Sequence, residues 1–295
     1  MDLSGKTAVI TGAASGIGFA LAEKFAASGM QVVLSDVQKD ALQRAAEALT
    51  ERGAIVKPII TDVMSIESVM SLERAAVSRF GPIHVLCNNA GVASATSQLG
   101  VPVWEQPIKD WDWVLGVNFY GVLHGLRAFV PGMLTHGESG HILNTASLAG
   151  LLAGGGSYNA SKHTLISLSE TLYFDLKNAN ANIRASVLCP SLVRTEFFSA
   201  ERNRPTTLQS DIAAPAEPEG MADLLAILQA NATGPEEIAA AAVEGMKNND
   251  FYILPNPAWD QFVRERVEHV LARKQPAVAW DMTELAERYM RGEKL

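Results

Sequence analysis

The chain predicts a doubly wound α/β fold, one parallel sheet with helices on both faces, and three observations carry that expectation. Short apolar runs alternate with longer stretches of helical periodicity, a glycine-rich turn follows the first apolar run, and later runs end at Asp36, Asp62 and Asn88. Strands separated by helices of ten or more residues form βαβ units. Right-handed crossovers then lay the helices on both faces of a parallel sheet.

The elements follow in order. Residues 8–10 form a first strand and 19–28 a helix; 32–34 is a strand and 41–51 a helix; 56–60 is a strand and 66–80 a helix. Residues 85–87, 141–144 and 186–188 are further strands, the last two preceded by long helical patterns. At 295 residues and 48% apolar content, the chain can bury one sizeable core, and residues 1–295 are read as a single domain. Two departures stand out. Around 196–235, Pro205, Pro215 and Pro218 mix with polar residues, which marks an insertion of the kind that covers active sites. Helical pattern resumes at Met221. From about 255 to 295 a helical tail carries Trp259, Phe262, Trp280 and Tyr289, expected to pack on the body or on a neighbouring subunit.

Composition narrows the function classes. The net charge is −8 with no long basic run, which argues against nucleic acid or an anionic membrane as partner. No apolar stretch approaches the ~20 residues of a spanning helix. A strand pattern beginning by Ala8, directly after Lys6, leaves no room for a secretion signal, so a cytoplasmic protein is expected. Cys87 and Cys189 lie in apolar runs and are read as buried thiols. His124, His136, His141 and His269 lack metal-ligand spacing, so no metal site is expected.

Thr11-Gly12-Ala13-Ala14-Ser15-Gly16-Ile17-Gly18 follows the first strand and opens a helix. Glycines at such a turn permit tight backbone, close approach of a pyrophosphate and helix–strand packing, while the helix start offers N–H groups to phosphates. Asp36 ends the second strand, where a carboxylate accepts hydrogen bonds from ribose hydroxyls and repels a 2′-phosphate. No arginine lies in the turn or directly after Asp36, so NAD is the expected cofactor. Capping of the next helix is the alternative use of Asp36. Asp62 and Val63 end the third strand, a place suited to adenine; Asn88, Asn89, Ala90 and Gly91 end the fourth, beside the expected crevice.

Tyr158 and Lys162 are four apart, so a helix puts them on one face. An adjacent ammonium favours the phenolate and can make tyrosine a general base. Ser147 can hydrogen-bond the reacting oxygen, and the Asn118 amide can hold a proton-relaying water. A lone Tyr/Lys pair of this kind is usually a surface or packing pair; its joint occurrence with the turn is what carries weight.

In these motifs and their order, roughly from Asp2 to Thr195, the chain resembles the short-chain dehydrogenase/reductase family in its single-domain, Rossmann-type form. The resemblance implies that Gly12, Ser15, Gly16, Ile17, Gly18, Asp36, Asp62, Val63, Asn89, Ala90, Gly91, Pro190, Val193 and Thr195 bind the cofactor, with Thr195 on the nicotinamide carboxamide. It implies that Asn118, Ser147, Tyr158 and Lys162 are catalytic, Tyr158 and Lys162 also touching the cofactor. Two positions depart from the family. Ser191 stands where it has glycine, and Ser147 is closer to Tyr158 than usual; Thr145 would restore the spacing, but Ser147 fits the surrounding Ser-Leu-Ala-Gly better. The Asn144–Gly150 stretch and the tail are also similar to bacterial dehydrogenases that oxidise benzylic alcohols of lignin-derived aryl ethers.

The expectation is therefore an NAD-linked oxidoreductase for a small secondary alcohol or ketone. Leu148, Ala149, Leu152, Leu192, Phe197 and Phe198 point to a hydrophobic or aromatic one. A silent NAD-binding interaction protein would not need the Tyr/Lys pair, and an epimerase-like relative would have another glycine spacing and a larger substrate domain. A homodimer or homotetramer is expected, because the helices holding Asn118 and Tyr158 are apolar well beyond one stripe. Leu172 is placed on the outer face.

Overall fold

The computed structural model describes residues 2–210, 221–276, 287, 288 and 291. The chain alternates as expected: β1 (Thr7–Thr11), α1 (Gly16–Ala27), β2 (Gln31–Asp36), α2 (Lys39–Glu51), β3 (Val56–Ile60), α3 (Ile66–Phe80), β4 (Val85–Asn88), short α4 (Ala95–Gln98), α5 (Ile108–Leu115), α6 (Gly121–His136), β5 (Gly140–Thr145), α7 (Gly156–Asn178), β6 (Ile183–Leu188), α8 (Met221–Asn231), α9 (Pro235–Asn248), β7 (Tyr252–Ile253) and α10 (Asp260–Leu271).

All strands run parallel in the order β3-β2-β1-β4-β5-β6-β7. β1, β4 and β5 are buried along their whole length, which is why the middle of each is an apolar run rather than an alternating one. Pro58 sits in β3 at the sheet edge, where a missing N–H interrupts no outer ladder. Helices α1, α2 and α9 cover one face through residues such as Phe25, Leu42, Leu49 and Ile238. The other face packs against α3 and α5–α7 through Leu72, Trp113, Phe129 and Leu165. Strand order reverses between β1 and β4, so the chain leaves their carboxyl ends toward opposite faces and opens a crevice there.

The differences from the sequence expectation have local causes. Helix α1 starts at Gly16, because the glycine turn winds directly into it. β7 was not expected; two residues carry no periodicity, and it begins just beyond Asn249, whose positive φ of 64° ends α9. Residues Gly116–Tyr120 form a π-turn between α5 and α6, a wider coil often found at functional sites, and Asn118 lies on it. Leu172 is buried in the core, not on the outer face; the exposed apolar side chains of α7 are Tyr173 and Phe174. The tail does pack on the body: Trp259 is buried against Leu148, Leu152 and Leu228. Pro215, Pro218, Trp280 and Tyr289 lie outside the described residues. Among the described residues no helix is long and apolar enough to cross a membrane.

Candidate active site

The glycine turn is built by steric need. Gly12 and Gly16 have φ of +66° and +56°, the left-handed region that side chains avoid. Gly18 is helical, but a Cβ there would stand 2.1 Å from the Gly12 carbonyl oxygen and 2.6 Å from Asn89 Nδ2. Asn89 explains the crowding: its Nδ2 donates to the carbonyls of Thr11 and Gly12 at 3.1 and 3.3 Å. Its Oδ1 accepts from Thr145 Oγ1 at 3.2 Å, so the ends of β1, β4 and β5 are stitched together. Ser15 does not cap α1 with its side chain, which leaves the helix-start amides at the cavity free of a side-chain cap.

Asp36 sits at the cavity wall and holds the turn. Its Oδ2 accepts from Ala14 N at 3.1 Å and its Oδ1 from Gln38 N at 3.0 Å. The cap position of α2 is Gln38, so the alternative use of Asp36 as that cap is not realised. Arg202 reaches Gln38 from the segment after β6, its Nε 3.3 Å from Gln38 Oε1. Sequence reasoning could not foresee a cation arriving from 164 residues away.

The crevice widens into a cavity of about 930 Å³. Of the residues singled out from the sequence, Gly12, Ser15, Gly16, Ile17, Asp36, Asp62, Val63, Asn89, Ala90, Gly91, Ser147, Tyr158, Lys162, Pro190, Val193 and Thr195 all line it. Gly18 and Asn118 do not; each supports residues that do. Asn88 turns away as well, its Nδ2 donating to Asn144 Oδ1 inside the sheet. Leu152 belongs to the cluster around Trp259 rather than to the lining, whereas Leu148, Ala149, Leu192, Phe197 and Phe198 line the cavity as expected. Ser97, Leu99, Trp113 and Trp259 join them from elements with no sequence signal for a pocket.

Tyr158, Lys162 and Ser147 converge. Lys162 is 3% exposed, and its Nζ donates to the Thr145 carbonyl at 2.9 Å and lies 5.8 Å from the Tyr158 ring centre. Ser147 lies close enough to Tyr158 to favour its ionised form, while its hydroxyl donates to the Pro190 carbonyl at 3.4 Å. The Thr145 hydroxyl donates to Asn89 Oδ1 at 3.2 Å. The tight spacing between Ser147 and Tyr158 is absorbed by Gly154, Gly155 and Gly156, all with positive φ. Burial pushes the Tyr158 phenol up to about 12, with Ser147 pulling the other way. Burial also pulls the Lys162 ammonium down to about 8. Desolvation thus sets the phenol in the protein alone, and the expected lowering by the ammonium is not seen there.

The Asn118 amide is engaged within the protein. Both its N–H bonds are used, on the Val92 carbonyl and Ser161 Oγ at 2.9 Å each, and its Oδ1 accepts from Val92 N at 2.8 Å. It braces the strand-end segment. Gly91 sits just in front, where a Cβ would lie 3.4 Å from Lys162 Nζ and 3.5 Å from Asn118 Oδ1.

A positive-φ turn beneath a long crevice, continuing to a buried tyrosine and lysine on one helix face, defines an oxidoreductase that works with a dinucleotide. The chain belongs to the short chain dehydrogenase family, whose model matches residues 6–206. It is 40% identical over 223 residues to 1-deoxy-11-beta-hydroxypentalenate dehydrogenase of Streptomyces avermitilis, covering 73% of this chain and 81% of that one. It is 33% identical over 270 residues to C alpha-dehydrogenase of Sphingobium, covering 90% and 84%. A short chain dehydrogenase/reductase of Burkholderia phymatum, solved in complex with NAD, superposes with a TM-score of 0.90 at 42% identity, covering 95% of this chain and 99% of that one. The protein is therefore an enzyme acting on CH–OH groups with a nicotinamide cofactor, not a silent binding module.

Proposed function

We propose that the enzyme is an NAD-linked dehydrogenase or ketone reductase for a bulky, uncharged secondary alcohol or ketone, hydrophobic or aromatic in character. The observation that carries this reading is the lining of the cavity beyond Tyr158. Leu99, Trp113, Leu148, Ala149, Leu192, Phe197, Phe198 and Trp259 supply apolar surface. The charged lining residues other than Lys162 are Asp36, Asp62, Glu196, Glu201 and Arg202, none of which belongs to this apolar set. A substrate charge brought against that wall would be desolvated without a partner, which costs several kcal/mol. The relatives named C alpha-dehydrogenase and 3beta-hydroxysteroid dehydrogenase 2 are in keeping with such a pocket.

Asp36 supports NAD over NADP. Its carboxylate faces the cavity at the end of β2, where a 2′-phosphate would meet like charge, a juxtaposition costing several kcal/mol. When bound, NAD supplies the acceptor for the hydride that leaves the carbinol carbon. Gly12, Gly16 and the start of α1 would hold its pyrophosphate, Asp62 and Val63 its adenine, and Thr195, folded over Gly16, its carboxamide. Ser147 hydrogen-bonds the reacting oxygen, Tyr158 Oη takes the hydroxyl proton, and Lys162 holds the ribose and steadies the phenolate. Residues 196–208 act as the lid.

Turnover of a panel of aryl carbinols, steroids and aliphatic alcohols, followed by nicotinamide absorbance, tests the reading. A preference for charged short-chain alcohols, or equal kcat/KM with NAD and NADP, refutes it. Tyr158→Phe is expected to lower kcat by roughly 10²–10⁴-fold, the usual worth of positioned proton transfer, with NAD binding nearly unchanged.

A further inference from the structure

The segment after β6 passes over the cavity and then enters the body at Arg204. The Arg204 side chain is 7% exposed, and that of its partner Asp110 on α5 is 1% exposed. Nη2 donates to Asp110 Oδ1 at 2.5 Å, Nη1 to the Glu201 carboxylate at 3.3 Å and Nε to the Leu208 carbonyl at 2.8 Å. The guanidinium lies over the ring of Trp113, 5.0 Å from its centre, and Trp113 lines the cavity. Glu201 accepts in turn from Ala95 N at 3.0 Å.

The second Asp110 oxygen accepts from the Thr96 hydroxyl. Thr96 and Ser97 are neighbours on α4; Ser97 accepts from the Ser94 hydroxyl at 3.2 Å and pairs with the Ser157 hydroxyl at 2.7 Å. Ser157 is fully buried, directly precedes Tyr158, and is held by Gln106, whose Oε1 accepts its N–H at 3.2 Å. Two neighbours on α4 therefore join the covering segment to the first turn of α7, Thr96 through Asp110 on one side and Ser97 through Ser157 on the other. The two ends meet again in the cavity, where the Phe197 ring packs 5.3 Å from that of Tyr158.

A buried ion pair is a weak source of net stability, and its best-attested use is to select one arrangement. Thr96 and Ser157 are buried, so displacing α4 or either of its neighbours leaves a desolvated hydroxyl unpaired at one end.

We propose that Asp110 and Arg204 are positioning residues for the reaction: through Thr96 and Ser97, side by side on α4, and Ser157 they couple the placement of residues 196–208 over the cavity to the register of the helix that carries Tyr158 and Lys162. The inference rests on the reading of Tyr158 and Lys162 as the reacting pair. Its test separates the two by using a readout that needs no substrate.

Hydrogen exchange of residues 196–208 is compared in wild type, Arg204→Met, Asp110→Asn, Ser157→Ala and the Ser157→Ala/Arg204→Met double variant. Losing one buried hydrogen bond speeds local opening by roughly threefold or more. Ser157→Ala is expected to produce that acceleration over 196–208, although Ser157 lies on α7. Asp110→Asn keeps the shape and the Thr96 contact, so it reports the lost ion pair in a protein that still folds. For kcat with NAD and the best alcohol, independent sites would multiply to within about twofold. Here the double variant is expected to be no slower than the worse single one, with KM for the alcohol moved less than kcat. Unchanged exchange over 196–208 in Ser157→Ala, or multiplicative losses in the double variant, would overturn the coupling. If Tyr158→Phe keeps its turnover while Ser157→Ala still loosens the lid, the catalytic reading falls and the coupling stands.

Discussion

Lys162→Met should leave the folded protein as stable as wild type at pH 7, or more so, while removing its activity. Burial holds the Lys162 ammonium at about 8 against 10.5 in an exposed lysine. That gap of about 2.5, at about 1.4 kcal/mol per unit, is a penalty of about 3 kcal/mol carried by the folded state at pH 7. Methionine of similar length removes the penalty but leaves the Thr145 carbonyl without the 2.9 Å bond from Nζ, which costs about 1–3 kcal/mol. The net effect lies between zero and about 2 kcal/mol in favour of the variant. The pH dependence is the sharper signature. Below pH 8 both folded and unfolded wild type carry the proton, and the penalty is complete. Between 8 and 10.5 the folded state releases its proton while the unfolded state keeps it, so wild-type stability rises with pH. Tyr158 and Cys87 are pushed up by burial and favour the folded state below their unfolded values, losing that contribution at high pH. Both proteins share those residues, so the effect cancels in the comparison. Urea unfolding of the two at pH 7 and 9.5 should show wild type gaining about 2 kcal/mol on the variant. A variant more than about 1 kcal/mol less stable at pH 7, with a difference that stays flat to pH 9.5, would refute the reasoning.

Three further outcomes are expected. Gly18→Ala forces a methyl against the Gly12 carbonyl and Asn89 Nδ2; overpacking of this kind costs about 1–3 kcal/mol, and both thermal stability and NAD affinity should fall, whereas a wild-type dissociation constant by calorimetry would contradict the crowding. Asp36→Ala should narrow the preference for NAD over NADP, read as the ratio of kcat/KM values, while also loosening the glycine turn through loss of the Ala14 and Gln38 bonds. We expect a homodimer or homotetramer by light scattering; Phe174→Glu, at a side chain 58% exposed on α7, should lower that mass, and a native mass of 31.6 kDa would end the proposal.

The sheet and the cofactor turn were legible because their causes are local. Buried parallel strands must be apolar in their middle, and positive-φ turns require glycine at Gly12 and Gly16 whatever the rest of the chain does. Tyr158 and Lys162 were legible for a similar reason, since helical geometry fixes how residues four apart relate. What escaped reading depends on partners far away in the chain. Nothing near Asn118 announces that Val92 and Ser161 consume its amide, nor does anything near Leu172 announce that the core reaches that far around α7. Arg202 and Arg204 stand in a segment of mixed polarity that gives no periodic signal, so their partners Gln38 and Asp110 had to come from the fold. The two-residue β7 is too short for any pattern and exists because β6 has a free edge for it.

The strand order also bears on how the chain is made. β1 is flanked by β2 and β4, and Ala8 pairs with Val85 across 77 residues. At a synthesis rate of about 5–20 residues per second, one edge of that first apolar strand waits roughly 4–15 seconds for its partner. β4 then waits in turn for β5, whose residues His141–Asn144 are later still. Growing chains halted before about residue 85 should therefore expose an unsatisfied sheet edge made of Ala8, Val9 and Ile10 and depend on chaperones, while chains extended beyond β5 should not.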